Sequence, residues 1–426
     1  MMSAVLLAVA IPGVVIAAGT GGTPITIGVL TDCAGGFAFQ QSATAAGADL
    51  ALLEHGGRLL GQTPTDGVTG AAVAGRPVRV VFGCSDGTSI SALAEARLLV
   101  EGAGAEIVIG PVTGDEELSL QAYARRRPAT TFVDGSGAVQ LLDPAPNFFT
   151  FHDDGAQWMA GLGSYAFHHL GWRNVVELVD PDVFDWAQAA GFDAEFCSLG
   201  GTIARRISVP PATTDFSALF GEIPQRPIDG FFIASQTKVE IALAGADKSL
   251  RGNISRRVLG GVFTGPPQPA LGERIRGQII ADRTRGGHVP AFNRELFRAF
   301  PTADRKFFAG NLFVLDYYTA MKATLVALAA DGGDVSQGER QFRATLARLP
   351  VATPTGVVTL DAEHQAVAPN YLLRLGKADG SDLKLVRTIP RVEPTFGGYF
   401  TAHDPPPGNT TPACRRRMPP AWARSG

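Results

Sequence analysis

Hydrophobic and polar residues follow each other along this chain in a pattern that predicts short buried strands separated by helices. In the first third, runs rich in Val and Ile are each followed by a stretch with helical spacing of small apolar side chains. The predicted strands cover residues 24–30, 78–82, 105–109 and 129–133, and the predicted helices cover residues 41–54, 89–101 and 115–126. Strands that alternate with helices of this length are typical of right-handed βαβ units and of a parallel sheet.

The same alternation begins again near residue 148 and predicts a second unit of similar size. Its strands are expected at residues 148–151, 175–179, 202–209, 230–233 and 258–262, and its helices at 155–170, 184–196, 216–220 and 239–246. After a strand at 277–281 come helices at 310–330 and 337–349 and closing strands at 356–360, 371–375 and 383–386. We therefore expect an α/β fold with two Rossmann-like lobes around mostly parallel sheets. In such sheets ligands bind beyond the carboxyl ends of the strands.

Composition and motifs exclude several classes of protein. The 426 residues are 45% hydrophobic and 18% charged, which is typical of a globular chain and not of a disordered chain or a coiled coil. The 37 basic and 40 acidic residues leave a net charge of −3, which argues against nucleic acid or anionic lipid as a partner. The sequence contains no G-x-S-x-G elbow, Walker A loop or H-E-x-x-H motif, so we expect neither an enzyme nor a metal or cofactor site.

The two ends of the chain differ from its body. Residues 4–18 form an apolar run that is too short for a membrane-spanning helix and is typical of a secretory signal. We expect residues 1–18 to be a cleaved signal peptide, and a buried first strand or helix is the alternative interpretation. The Pro-rich and Arg-rich residues 401–426 predict a disordered tail.

Four cysteines, none of them in a C-x-x-C pair, argue against a zinc or redox motif. Cys33 follows the first predicted strand and Cys84 ends the next, and in a parallel sheet such positions lie side by side. In an oxidising compartment we expect a Cys33–Cys84 disulfide. Cys197–Cys414 is a second candidate bridge, although the sequence around Cys414 gives no position for that residue.

Five stretches, in order, resemble the type I periplasmic solute-binding proteins of ABC importers, the Leu/Ile/Val-binding-like family of branched-chain amino acid, amide and urea receptors. They read ITIGVLTDCAGGFAFQ (25–40), AEIVIGPVTG (105–114), TDFSAL (214–219) and TPTGVVTLD (353–361), followed by the closing run at 371–385. The resemblance implies two lobes joined by three crossover hinges. Lobe one is expected at residues 24–146 plus 282–355, and lobe two at 147–281 plus 356–400. The resemblance also implies a periplasmic monomer that binds a small-molecule solute and delivers this solute to the transmembrane subunits of an ABC permease.

The family's ligand-binding positions fall on strand-end loops of this sequence. The matching residues are Phe39, Thr113, Gly114, Asp134, Gly135, Ser136, Phe184, Gln236 and Phe263. The resemblance implies that the loops of Thr113 and Ser136 hold a ligand carboxylate and that Phe39 and Phe184 close over the ligand. Thr113 and Ser136 are also consistent with helix caps, and the three phenylalanines with core positions.

In the second lobe, the strand end reads Gly261-Val262-Phe263-Thr264 and lacks the acid that pairs with a ligand ammonium in the family's amino-acid receptors. A buried ammonium without a counter-charge is costly, and Asp134 is the residue that could supply the charge from the other lobe. We therefore expect the ligand to be a carboxylate, an amide or an aromatic acid rather than an ordinary α-amino acid. A ligand-sensing regulatory protein of the same fold, without a transport role, is the alternative function.

Overall fold

The computed structural model describes residues 22–262, 269–286 and 289–424. The predicted signal peptide, residues 1–18, lies outside this described part. The strands of the first half are β1 (Ile25–Asp32), β2 (Arg58–Leu59), β3 (Val68–Thr69), β4 (Ala72–Val73), β5 (Arg76–Ser85), β6 (Ile107–Ile109), β7 (Thr131–Val133), β8 (Phe148–Phe149) and β9 (Asn174–Val179). Those of the second half are β10 (Thr202–Ser208), β11 (Gly230–Ala234), β12 (Val258–Gly260), β13 (Ile279–Asp282), β14 (Val351–Thr353), β15 (Gly356–Leu360), β16 (Ala366–Leu375) and β17 (Leu383–Val392).

Helices connect these strands in the predicted order. They are α1 (Gln41–Leu53), α2 (Ser89–Arg97), α3 (Gly114–Arg126), α4 (Gly155–Trp158), α5 (Leu162–His168) and α6 (Val183–Phe196) in the first half. In the second half they are α7 (Ser217–Gly221), α8 (Thr237–Ala246), α9 (Pro290–Ala299), α10 (Arg305–Phe308), α11 (Leu312–Ala330) and α12 (Arg340–Leu346). The predicted helix at 155–170 is split into α4 and α5, because Gly161 between them has a φ of 96°. A Cβ atom there would also lie 2.7 Å from Ile389 Cδ1.

Two mostly parallel sheets form the centre of the molecule, which confirms the predicted fold class. The larger sheet has the order β4-β5-β1-β6-β7-β8, in which only the pairing of β4 with β5 is antiparallel. The smaller sheet has the order β10-β9-β11-β12 and is entirely parallel. A third, antiparallel sheet, β13-β16-β15-β14 with β17 beside β16, runs between them.

Each central sheet is buried on both faces, because successive side chains of a strand point to opposite sides. Ile107 and Ile109 of β6 belong to one hydrophobic cluster, and Val108 between them belongs to another. The two clusters of the larger sheet draw on residues 25–151 and 289–366, which we call lobe one. The two clusters of the smaller sheet draw on residues 156–279 and 372–400, which, together with the segment that follows, we call lobe two.

The chain therefore passes between the lobes three times. The first crossing lies at residues 152–155 and the second follows β13. The third lies inside β16, because Ala366 belongs to the core of lobe one and Leu372 to the core of lobe two. The predicted boundary at residue 356 is thus too early, since Val358 of β15 also packs in lobe one. A turn marks residue 356 in the sequence, but the antiparallel pairing of β15 with β14 keeps that strand on lobe one.

Helix α11 is the central helix of lobe one. Among the described residues it is the one helix whose length and apolar composition would allow it to cross a membrane, but most of it is buried inside the fold. It packs directly on α1, where the backbone oxygen of Val314 lies 2.3 Å from the position a Cβ atom of Gly47 would take. Only a glycine at position 47 allows the two helices to come this close.

The prediction of a disordered tail at residues 401–426 is wrong for the described residues up to 424, because they pack on lobe two. Cys414 is paired with Cys197 at the end of α6, and the Cα atoms are 5.3 Å apart. The indole of Trp422 donates to Glu195 Oε1 at 2.7 Å, and Arg417 Nη1 donates to the backbone oxygen of Tyr399 at 3.0 Å. The Pro-rich and Arg-rich composition suggested disorder, but three side-chain anchors hold this segment in place.

Candidate functional site

A cavity of about 360 Å³ lies between the lobes, beside the second crossing. Its lining residues are Gln40, Val289, Gly310, Asn311, Leu312, Phe313, Leu315 and Thr355 of lobe one, Trp158 and Val262 of lobe two, and Asp282, Arg283 and Thr284 of the crossing. Ligand pockets usually measure about 300–1,000 Å³. A cavity of this size with walls from both lobes is the candidate ligand site.

Arg283 is a buried cation on the wall of this cavity. It follows β13 directly, and its Nη1 donates to Oδ1 of Asp316 in α11 at 2.7 Å. Its guanidinium also lies 4.3 Å from the centre of the Trp158 ring, within the range of a cation–π contact. Burial acts to lower the pKa of Arg283, but the carboxylate of Asp316 outweighs it and raises the pKa above its ordinary value. Arg283 is therefore held as a cation between a carboxylate of lobe one and an indole of lobe two.

The indole N–H of Trp158 is a donor without an acceptor. Trp158 ends α4, is 8% exposed, and its Nε1 makes no hydrogen bond to any residue in the described ranges. An indole nitrogen can only donate, and leaving a buried donor unpaired costs about 1–3 kcal/mol. An acceptor atom of a ligand in the cavity would remove that cost.

The remaining walls of the cavity divide into an apolar side and a polar rim. The apolar side is formed by Val262, Val289, Leu312, Phe313 and Leu315. On the rim, Asn311 caps α11 and its Nδ2 donates to Gln40 Oε1 at 3.1 Å. Asp282 Oδ1 accepts hydrogen bonds from the backbone N and the hydroxyl of Thr284 at 2.6 and 2.7 Å. The arrangement suits a ligand with an apolar body and an acceptor group at one end.

The predicted residues Thr113 and Gly114 lie at the start of α3, away from this cavity. The Thr113 hydroxyl and backbone N–H both donate to Glu116 Oε2 at 3.0 Å, which closes a capping box. A Cβ atom on Gly114 would lie 2.4 Å from Val183 Cγ2 at the start of α6 in lobe two. Here the lobes are in direct contact, so the helix N-terminus is covered by protein.

The predicted loop of Asp134, Gly135 and Ser136 is also filled by internal partners. Asp134 is fully buried, and its Oδ2 lies 2.7 Å from Nε2 of His152 in the first crossing. Ser136 donates to the backbone oxygen of Val112 at 3.0 Å. A Cβ atom on Gly135 would lie 2.6 Å from the ring of Tyr317, a residue of α11. The structure brings these residues together, but as interior packing of lobe one.

Phe39, Phe184 and Gln236 are not among the residues that line the cavity. Phe39 is 63% exposed and lies against Phe307, next to the lining residue Gln40. Phe184 meets Trp158 edge to face, with ring centres 6.4 Å apart. Gln236 is exposed at the start of α8. Phe263 lies outside the described residues.

Several carboxyl groups are buried along the same strand edge of lobe one and the first crossing. Burial, together with Glu116, raises the pKa of Asp32 to about 8, and burial raises the pKa of Asp153 to about 6 and of Asp154 to about 7. Burial and the neighbouring Asp134 also raise the pKa of Glu117 well above its ordinary value. An anionic ligand placed at this edge would meet carboxyl groups rather than open helix N–H groups.

A further acidic group lies at the carboxyl end of β9. Oxygens of Asp180, Asp182 and Asp185 come within 4.8 Å of one another. Each has a protein partner: Ser235 donates to Asp180, the backbone N of Asp185 to Asp182, and Gln188 to Asp185 at 2.5 Å. These contacts account for the three aspartates as part of the capped start of α6.

Sequence reasoning missed Arg283 and Trp158. Arg283 was detectable in part, because Asp282-Arg283-Thr284 directly follows a predicted strand. Trp158 lies inside a run that predicted one continuous helix, so its position at the end of α4, facing a crossing from much later in the chain, had no local signal.

Comparison with known proteins gives a consistent set of relatives. The family model described as periplasmic binding protein matches residues 24–381. The Leu/Ile/Val-binding protein homolog 6 of Brucella suis and that of Brucella melitensis are each 22% identical over 370 residues, which cover 83% of this chain and 88% of the relative.

Solved structures resemble the fold over most of its length. An ABC transporter substrate-binding protein from Sphaerobacter thermophilus has a TM-score of 0.70 at 19% identity and covers 86% of this chain and 98% of its own. A solute-binding protein from R. palustris in complex with benzoate has a TM-score of 0.69 at 19% identity, covering 87% and 97%. The leucine-binding protein LivK of Thermotoga maritima has a TM-score of 0.67 at 17% identity, covering 86% and 99%.

Proposed function

The chain belongs to the periplasmic binding protein family, and from this premise we propose that it is the exported solute receptor of an ABC importer. It captures a small organic solute between its lobes and delivers it to the transmembrane permease. Closure occurs by rotation about the three crossings, as in other hinge proteins. The proposal places the mature protein in the periplasm after removal of residues 1–18, acting as a monomer.

The observation that carries this proposal is the interlobe cavity. Its walls come from both lobes and from the second crossing, so the space changes when the lobes move. A solute bound there holds the two lobes together, and it leaves when they separate. A permease that recognises the closed form and opens it would receive the solute.

For the ligand we propose a carboxylate, an amide or an aromatic acid in preference to an ordinary α-amino acid. The donors Arg283 and Trp158 support an acceptor group on the ligand. Asp282, a carboxylate among the lining residues, accepts the backbone N–H and the hydroxyl of Thr284 on its Oδ1. The R. palustris relative is described in complex with benzoate, whereas the T. maritima relative is described as binding leucine.

Titration calorimetry of the purified protein against benzoate, benzamide, leucine and isoleucine tests this proposal. We expect micromolar or tighter binding of an acid or amide and none of the two amino acids. Micromolar binding of leucine would contradict the proposed ligand class. Sequencing the N-terminus of the protein from a periplasmic fraction separates the receptor from the ligand-sensing regulator, because a cytoplasmic regulator keeps residues 1–18.

A further inference from the structure

We infer that the cavity binds a small monocarboxylic acid and that the N–H groups of Arg283 and Trp158 hold the acid group, at the second crossing. This inference rests on the proposed function. It specifies the ligand class and the anchor, by which we mean the two residues Arg283 and Trp158 that hold the acid group. The carboxylate is thus held away from the start of α3 and the loop after β7, where the sequence predicted it.

Arg283 and Trp158 both line the cavity, and the guanidinium lies 4.3 Å from the centre of the indole ring. A guanidinium presents five N–H donors, and within the described residues Arg283 makes one hydrogen bond, from Nη1 to Asp316. The indole N–H of Trp158 makes none. A carboxylate has two oxygens that accept, and bonds of this kind to a charged group are about twice as strong as neutral ones. One acid group therefore satisfies both residues.

The strand edge of lobe one offers no comparable anchor. The hydroxyls of Thr113 and Ser136 already donate to Glu116 and Val112. Val183 covers the start of α3, and the ring of Tyr317 fills the space next to Gly135.

The apolar side of the cavity favours an apolar ligand body without an ammonium. Phe313, Leu315 and Val262 form this side, and an unpaired cation against such a surface is costly. The cation of the site is provided by the protein, on the crossing itself. The predicted ligand therefore has one acid group and an apolar remainder.

This anchor also joins ligand binding to closure. Arg283 lies on a crossing, its ion-pair partner Asp316 belongs to lobe one, and Trp158 belongs to lobe two. A carboxylate bound to both donors adds a link between the lobes that the ligand-free protein lacks. The dissociation rate of the acid should then depend on this link.

Matched series of ligands test the acid group. We would titrate benzoate, benzamide and benzylamine, and 4-methylpentanoate with its amide and amine, into the wild-type protein at one pH. The acid of at least one series should bind at least tenfold tighter than its amide and its amine. Preference for an amide or amine overturns the anchor but leaves the receptor proposal standing, whereas binding of none of the six overturns the proposed class as well.

Matched variants test the two residues. Trp158→Phe keeps an aromatic ring under Arg283 but removes the indole N–H. Arg283→Lys keeps the positive charge but removes the guanidinium with its five N–H donors. Each should weaken acid binding about tenfold or more, the loss expected for a hydrogen bond to a charged group. Trp422→Phe is the control, because its N–H already donates to Glu195 in lobe two, and it should change the Kd less than twofold. If Trp158→Phe binds the acid as tightly as wild type with an unchanged melting temperature, the anchor is wrong.

Discussion

Nε2 of His152 lies 2.7 Å from Oδ2 of Asp134, and this ion pair joins the first crossing to the carboxyl edge of β7. The two side chains are 3% and 0% exposed, so solvent hardly screens the contact. Burial acts to lower the pKa of His152, but the carboxylates of Asp316 and Asp134 outweigh it and raise the pKa to about 9. The imidazole of His152 is therefore a cation at neutral pH, placed beside Asp134.

Replacing His152 by Gln should lower stability in a pH-dependent way. A histidine with a raised pKa stabilises the fold fully below its unfolded pKa of about 6.5, and this contribution is lost as the pH rises through about 9. We expect a loss of up to about 3 kcal/mol at pH 6 and a much smaller loss at pH 10. Urea unfolding of the wild type and the His152→Gln variant at pH 6, 8 and 10 measures this loss of stability. An equal loss at all three pH values would contradict the ion pair, and His403→Gln, an exposed position, serves as the control.

Replacing Asp49 by Asn should stabilise the protein. Asp49 is fully buried in α1, its two oxygens lack a partner in the part of the chain that is described, and burial raises its pKa to about 8. For an acid whose pKa is raised in the folded state, the loss in free energy of unfolding is absent below about pH 3.8. It grows as the pH rises from there to about 8. We expect a gain of about 2 kcal/mol or more at pH 8 that shrinks toward pH 4. Glu273→Gln, at a side chain that is 74% exposed, should give no such trend in the same unfolding series.

Replacing Gly114 by Ala should push the lobes apart at their direct contact. The new methyl group would lie 2.4 Å from Val183 Cγ2 and 2.8 Å from Val139 Cγ2. Overpacking of this kind costs about 1–3 kcal/mol, and lobe separation relieves it. Small-angle scattering should show a larger radius of gyration, and a second change, Val183→Ala, should restore part of the compact form.

The control for this variant is Gly245→Ala in α8. A Cβ atom there meets no atom within 4 Å, so the change should stabilise the helix by about 0.5–1 kcal/mol. An unchanged radius of gyration in Gly114→Ala would show that the lobes do not touch at this point in solution.

Removing the Cys197–Cys414 bridge should release the C-terminal segment. The bridge closes a loop of 217 residues in sequence, and the paired Ser variant should lose about 2–4 kcal/mol of stability. Limited proteolysis followed by mass spectrometry should show new cleavage between residues 401 and 424. The matched control is the paired Ser variant at Cys33 and Cys84, which closes a loop of 51 residues on lobe one and should leave that segment protected.

The sequence predicted most of the secondary structure because local patterns decide it. Strand β6 lies within the predicted 105–109 and α1 within the predicted 41–54, since alternating burial and helical spacing are local features. The split at Gly161 was missed because it depends on contact with Ile389 on β17, a residue far away in the sequence.

The site was harder to predict, because its partners are distant in the sequence. The loop of Gly135 sits at the expected sheet edge, but only the fold shows that Tyr317 of α11 fills the space beside it. Arg283 and Trp158 likewise meet through the crossing rather than through any shared motif. A resemblance aligns loops with those of relatives, but it does not show which loops this chain has filled with its own side chains.

The close packing of α1 on α11 has a consequence for the biogenesis of the protein. The ribosome makes α1 early, yet the backbone of Val314 that lies against Gly47 is added only after about three quarters of the chain has been synthesised. Until then the apolar side chains of α1 lack the part of their native cover that α11 provides. The apolar face of α1 that packs on α11 therefore stays exposed through most of synthesis, and a holding chaperone can bind such a surface.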